Sequence, residues 1–266
     1  MRSRRQKSSR FTVALDEGVA LSRHRTDFLP DGSYLFQDHL QGDGSVNATV
    51  ITCAAWLCEL YRLTRGEVSF VSGEKRLYAS TRSFGVLYPP LTMTKLFFKR
   101  ARGRLIGIAS THSLPSTFIG RPILFETDFA GIPSGVEQVF EIIAAATNRQ
   151  DVSPYPAASL LSLKAKRLID EHYLDYPSIG RIAKRLGVTP EHLSRQFKND
   201  FELSPSAYLH QLRLADAPLR LARGEDIIKV SENVGYNDLS RFYKQFRKST
   251  RTSPGVCRSV VKPRPA

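Results

Sequence analysis

The amino-acid sequence predicts an α+β chain: an N-terminal antiparallel β-sandwich with trailing helices, followed by an all-α domain of two helix-turn-helix units joined by a linker helix. Three observations carry this expectation. Short β-like runs crowd the first half: EVSFVSG (67–73), RLYAS (76–80), SFGVLYPP (83–90), TKLFF (94–98) and RLIGIA (104–109). Turn residues separate them at close intervals, as in a sandwich or barrel. Apolar residues then take up helical spacing, and the last third of the chain repeats itself.

The elements follow in order. Residues 1–10, MRSRRQKSSR, hold five Lys/Arg and no acid and read as a basic disordered tail. Residues 11–152 form the sandwich, a candidate sensor or dimerisation domain. Within it, the cluster KRARGR (99–104) reads as a solvated hairpin turn between two strands. Residues 134–148 place Val136, Val139, Phe140, Ile143 and Ala144 on one helical stripe, a candidate dimer seam. Residues 153–159, rich in proline and serine, form a linker. The helical domain spans 160–258, and 259–266 is a closing tail.

The repeat pairs IAKRLGVTPEHLSRQFKNDFELSP with VSENVGYNDLSRFYKQFRKSTRTSP. Gln196-Phe197-Lys198 matches Gln245-Phe246-Arg247, and Ser204-Pro205 matches Ser253-Pro254, both at an offset of 49 residues. Leu186-Gly187 matches Val234-Gly235 at an offset of 48, so the second copy has one more residue in its turn. Each copy fits a helix, a glycine turn and a second helix. Thr189 is a good cap for the second helix of the first copy, with Pro190 at its first position; Asn237 is the expected cap in the second copy. Leu193, Phe197 and Phe201 would be buried in one unit, Phe242 and Phe246 in the other. Between the copies, residues 206–224 read as a helix about 28 Å long. A rod of that length suits two recognition helices set in successive major grooves, ~34 Å apart. Pro218 is expected to interrupt this helix, because an interior proline removes a hydrogen bond and crowds the preceding turn.

Charge points the same way. The net charge is +14, and Lys/Arg against Asp/Glu counts are 14 and 14 over residues 11–159 but 20 and 11 over 160–266. A polyanion-binding module beside a neutral domain produces this asymmetry. No apolar run reaches the ~18–20 residues of a membrane span, and no secretory signal follows the basic start. A cytoplasmic location is expected, with Cys53, Cys58 and Cys257 as reduced thiols.

Residues 160–258 resemble the DNA-binding domain of the AraC/XylS family of bacterial transcription regulators. IAKRLGV, LSRQFK, SPSAYLHQLRLADA, VGYNDLSRFYKQF and the closing SPGVCR carry the resemblance. It implies binding to double-stranded promoter DNA through both units and, usually, activation through contact with RNA polymerase. By position, the base-reading candidates it implies are Glu191, His192, Ser194, Arg195 and Lys198 in the first unit, and Leu239, Ser240, Arg241 and Lys244 in the second. Lys248, near the end of its helix, is a candidate phosphate contact. The family often carries a cupin-like sandwich, a small-molecule effector site and a homodimer contact in its N-terminal domain. Two departures stand out: Glu202 and Arg251 occupy positions where the family commonly has glycine.

Other functions compete. A cupin-like enzyme targeted to DNA would need a metal or nucleophile, but the six histidines form no HxH or HExxH pair, and neither a nucleophile elbow nor a phosphate-binding glycine loop is present. No catalytic residue, metal site or cofactor is therefore expected. A non-specific architectural DNA binder would share the charge but not the base preference.

Overall fold

A computed structural model describes residues 13–259 apart from 16–18, 30–32, 43–44, 73–74, 80–81, 115–120, 153–157, 176–177 and 251. The basic tail, most of the linker, residues 260–266 and Arg251 thus lie outside the described residues. The described part has the predicted α+β order, a β-rich half followed by helices.

Among the described residues, ten strands pair antiparallel: β1 (Val13–Leu15), β2 (Val19–Phe28), β3 (Tyr34–Gly42), β4 (Ser45–Ile51), β5 (Trp56–Ser72), β6 (Lys75–Tyr78), β7 (Ser83–Tyr88), β8 (Met93–Ser110), β9 (Ile123–Glu126) and β10 (Thr147–Asp151). They run in the order β1-β4-β8-β5-β7-β9-β10, with β3 on β8, β2 on β3 and β6 on β5. The long β5 and β8 are shared by both halves of the sheet. β8 pairs with β4 along Met93–Lys99 and with β3 along Arg102–Ala109. At the bend between these stretches, Gly66 has φ +80°, and a Cβ there would fall 2.2 Å from the carbonyl oxygen of Arg100. Only glycine fits such a close approach.

The cluster 99–104 is therefore not a hairpin turn. It lies inside β8, and the predicted runs 94–98 and 104–109 are one strand. β5 accompanies β8 from Trp56 to Phe70, so the ladder continues through the bend with register shifts between Leu63 and Glu67. Lys99 pairs with Glu67 across it at 3.0 Å.

The alternation of β5 builds two layers. Leu57, Tyr61 and Leu63 join Val68, Phe70, Leu96 and Phe98 inside the folded sheet. Trp56, Cys58 and Leu60 face the other way, onto α1 (Val136–Ala145). This corrects the expectation of a dimer seam. Val136, Val139 and Ile143 are buried on the chain's own sheet, and the Phe140 ring lies 5.6 Å from Trp56. A stripe that already covers Trp56 and Ile108 is not available to a second copy. Inside the sheet, the buried Glu59 accepts hydrogen bonds from Tyr61 Oη (2.5 Å) and Tyr88 Oη (3.3 Å). All three cysteines are free and buried, and burial pushes their thiols well above the usual range.

The helices are α2 (Leu160–His172), α3 (Ile179–Arg185), α4 (Pro190–Phe201), α5 (Pro205–Ala222), α6 (Ile227–Val234), α7 (Leu239–Thr250) and α8 (Pro254–Ser259). α5 belongs to three cores. Ala215 and Leu219 enter the core of the sheet. Tyr208, Leu209 and Leu212 pack with α2, α3 and α4, together with Ile51 and Met93 of the sheet. Ala217 and Leu221 pack with α6, α7 and α8, in a cluster that contains no sheet residue among the described residues. Pro218 does not interrupt the helix, which runs from Pro205 to Ala222. Residues 215 to 219, Leu221 and Ala222 are all buried. That packing offsets the hydrogen bond the proline cannot donate.

Two predictions follow from these layers. Ile143→Ala should lower stability by about 2–4 kcal/mol, as for a large-to-small change in a core, with the sedimentation coefficient of the folded protein unchanged; a drop to a smaller folded species would restore the seam. The second concerns Asp216 on α5, whose carboxyl burial raises from 3.8 to about 6 despite Arg220 and Arg223 nearby. The folded state then holds a proton that the unfolded chain releases, so this group's contribution to stability falls as pH rises from about 4 to about 6. Asp216→Asn should gain on the parent across that window and level off above it in melting curves. A pH-independent difference would show that ionisation there carries no cost.

Candidate nucleic-acid interface

Each helix-turn-helix unit is fixed by caps at its turns. Ser178 caps α3, accepting from Arg181 N at 3.1 Å. α3 ends at Leu186, and Gly187 (φ 72°) turns the chain toward α4. Thr189 accepts from His192 N at 3.2 Å, Pro190 opens the helix, and Glu191 sits in its positive first turn. In the second unit Asp226 caps α6 and Gly235 (φ 94°) makes the turn. Asp238, not Asn237, caps α7, accepting from Ser240 N at 2.8 Å. The extra residue in the second turn moves the capping position on by one. The closing segment is fastened back through Arg258 Nη1 and Asp226 Oδ2 at 3.1 Å.

Burial then divides the faces of α4 and α7. Leu193, Phe197 and Phe201 are buried, with the rings of Phe197 and Phe201 4.5 Å apart. Opposite them Glu191, His192, Arg195 and Lys198 are exposed and Ser194 is half-buried. Arg195 Nη2 lies 3.3 Å from His192 Nδ1. In α7, Phe242 and Phe246 are buried, and Tyr236 packs on Phe242 at 5.7 Å. Leu239, Ser240, Arg241, Lys244 and Lys248 are exposed. All ten sequence-predicted residues therefore lie on the outer faces of the two helices or at their edges.

The structure adds residues to this set. A concavity on α7 is lined by Leu239, Ser240, Tyr243, Lys244 and Arg247. Arg247 is exposed, like Arg241 and Lys244. The 49-residue offset would have found both newcomers, since it pairs Ser194 with Tyr243 and Lys198 with Arg247. On the first unit, Lys184 joins Gly187, Val188, Thr189 and His192 around a second hollow. His210 of α5 holds the second unit by Nε2···Tyr236 Oη at 2.8 Å. Its burial, with Arg213 and Arg241 near, lowers its pKa and favours the neutral imidazole.

The charged groups of these faces differ from several other cations of the helical half. Arg167, Lys166, Arg220 and Arg258 each pair with a carboxylate. Among the described residues, Arg195, Lys198, Arg241, Lys244, Arg247 and Lys248 form no ion pair with a carboxylate. Cations without carboxylate partners, set on two capped helices, suit a polyanion.

Comparison with known proteins meets this geometry. A family described as a helix-turn-helix domain matches residues 182–259. The HTH-type transcriptional activator RhaS of Pectobacterium carotovorum is 29% identical over 119 residues, 44% of this chain and 39% of that protein. The C-terminal region is an AraC-type helix-turn-helix domain. The HTH-type transcriptional regulator YobQ of Bacillus subtilis is 32% identical over 94 residues, 35% of this chain and 39% of that one. Among solved structures, the C-terminal domain of AraT, a response regulator from Geobacillus stearothermophilus, is 27% identical, with a TM-score of 0.34 over 39% of this chain and 87% of that one. The chain spans 39% of the length of each of these two curated relatives. In the AraC-type domain here, Glu202 stands where the family's common glycine would be and adopts the left-handed conformation itself, at φ 62°.

The cap assignment can be checked. Asp238→Ala should cost about 1 kcal/mol by thermal melting, the usual worth of a helix cap. Asn237→Ala should stay within about 0.5 kcal/mol, as surface changes do; the reverse order would return the cap to Asn237.

Proposed function

We propose that the chain is a sequence-specific regulator of transcription that binds double-stranded promoter DNA, with α4 in one major groove and α7 in the next. The observation that carries this reading is the repeated set of cations without carboxylate partners. Arg195 and Lys198 of α4 recur as Lys244 and Arg247 of α7, 49 residues on, at the two ends of an 18-residue helix. α5 is about 27 Å long, a fit to grooves ~34 Å apart once each recognition helix projects from its unit. Arg195 reads a base edge, with His192 against its guanidinium. Lys244 does the same in the second half-site, and Leu239 with Tyr243 offers an apolar surface to a thymine methyl. Lys248, at the end of α7, holds a phosphate.

RhaS is an activator by name, and activation through RNA polymerase is the regulatory sign we assign here. The N-terminal sheet is the sensing or dimerising part, taking a small-molecule effector or a second copy of the chain. The work of the protein is binding rather than covalent chemistry, and its place is the cytoplasm. No helix among the described residues is long and apolar enough to cross a membrane.

Selection of preferred sites from a random DNA pool tests this reading. The parent should return a bipartite site with halves about one helical turn apart. Arg195→Ala should relax one base position in one half and Lys244→Ala one in the other, each by about 1–3 kcal/mol of discrimination. Lys248→Ala should weaken all sequences alike. Unchanged preferences in both recognition-helix variants, with uniform weakening only, would defeat the two-groove reading.

A further inference from the structure

Two contacts tie the first recognition helix to the sheet, and both start at one end of β8. In the first, Lys95 pairs with the carboxylate of Glu202, the left-handed residue that ends α4. Met93, on the same side of the strand, packs in the cluster that holds Leu193 and Phe197. Thr94 lies between them on the opposite pleat and is fully buried; Leu96 and Phe98 follow it into the core of the sheet. The strand thus has the sheet interior on one face and the first unit on the other.

The second contact is the turn that leads into β8. Leu91 has φ 57°, and its carbonyl accepts from Lys166 Nζ at 2.8 Å. Lys166 has a side chain 6% exposed and pairs with Asp170 at 2.5 Å. Asp170 accepts from Tyr208 Oη at 2.6 Å, and the Tyr208 ring lies 5.9 Å from Phe197, the buried centre of α4. A chain of polar and ring contacts therefore runs from a sheet turn to the core of the recognition helix. Leu91 and Glu202 are two of the four non-glycine residues with positive φ among those described. Such backbone persists where its surroundings over-determine it. Here both residues are held by contacts between the sheet and the first unit. Among the described residues, the core of the second unit includes no sheet residue, and the hydrogen bond from Arg223, which caps α5, to Thr111 beyond β8 does not touch α7.

We propose that Lys95 and Lys166 are positioning residues for α4, through which the sheet sets how the first recognition helix is seated on DNA, while α7 is set by its packing with α5, α6 and α8. The inference rests on the DNA reading above and adds a direction to it. A change of packing around Thr94, Leu96 and Phe98 shifts Met93 and Lys95 on the other side of the same strand. That moves the end of α4 and alters recognition in one half-site only.

The test uses the full chain with Lys95→Glu, Glu202→Lys and the double exchange, and reads site selection from a random DNA pool. Both single variants should lose preference in the half-site read by α4, roughly two- to fivefold, the size a partly exposed ion pair can supply. The other half-site should be unchanged, and the double exchange should restore the parent's pattern. Simple charge effects behave differently, because Glu202→Lys would then strengthen binding to every sequence and Lys95→Glu would weaken it. That outcome, or singles that keep the parent's preferences in both halves, overturns the proposal while leaving the DNA reading intact. A parent that selects no site at all overturns the DNA reading itself. Lys166→Met should give the same one-sided loss; where it fails to fold, with Asp170 left buried and unpaired, the Lys95–Glu202 exchange decides alone.

Discussion

Burial of α5 is the constraint on which the remaining architecture depends. A helix in three cores at once has no solvent face long enough to let it shift. Its N-terminal half closes the first unit, its middle lies against the sheet, and its C-terminal half closes the second unit. Because α5 is a continuous helix buried in all three cores, the separation of α4 and α7 is set by packing rather than by an unstructured tether. Its tolerance of Pro218 has the same origin: burial of residues 215 to 219 offsets the hydrogen bond that the proline cannot donate, and the helix continues through it.

The helical half was legible because local rules and repeat rules agree there. Caps, glycine turns and phenylalanine spacing all fix the same helices, and the repeat checks each against its copy. The slips were local. Asn237 and Asp238 are both good cap residues, and only the turn's length decides between them. Tyr243 and Arg247 are legible only through the repeat offset, which pairs them with Ser194 and Lys198.

The sheet was less legible. β8 carries two apolar runs separated by KRARGR, and in sequence such a cluster reads as a turn. What keeps it extended is β5, a partner some thirty residues upstream, and a long-range pairing leaves no local mark. The α1 stripe failed for a related reason. An amphipathic helix announces that one face is covered, but not whether its own sheet or another molecule covers it. Exposure of Trp56 on the outer face of β5 would have settled that, and the register of β5 is not readable without its neighbours.

Finally, the placement of the three thiols bears on how the molecule meets oxidants. Cys53 and Cys58 lie in the two layers of the sheet and Cys257 in the second helical unit, each shut from solvent and disfavoured as a thiolate by burial. Peroxides and disulfide exchange act on exposed thiolates. The folded chain therefore offers oxidants no entry through sulfur at these positions, and peroxide stress can reach them only through unfolding.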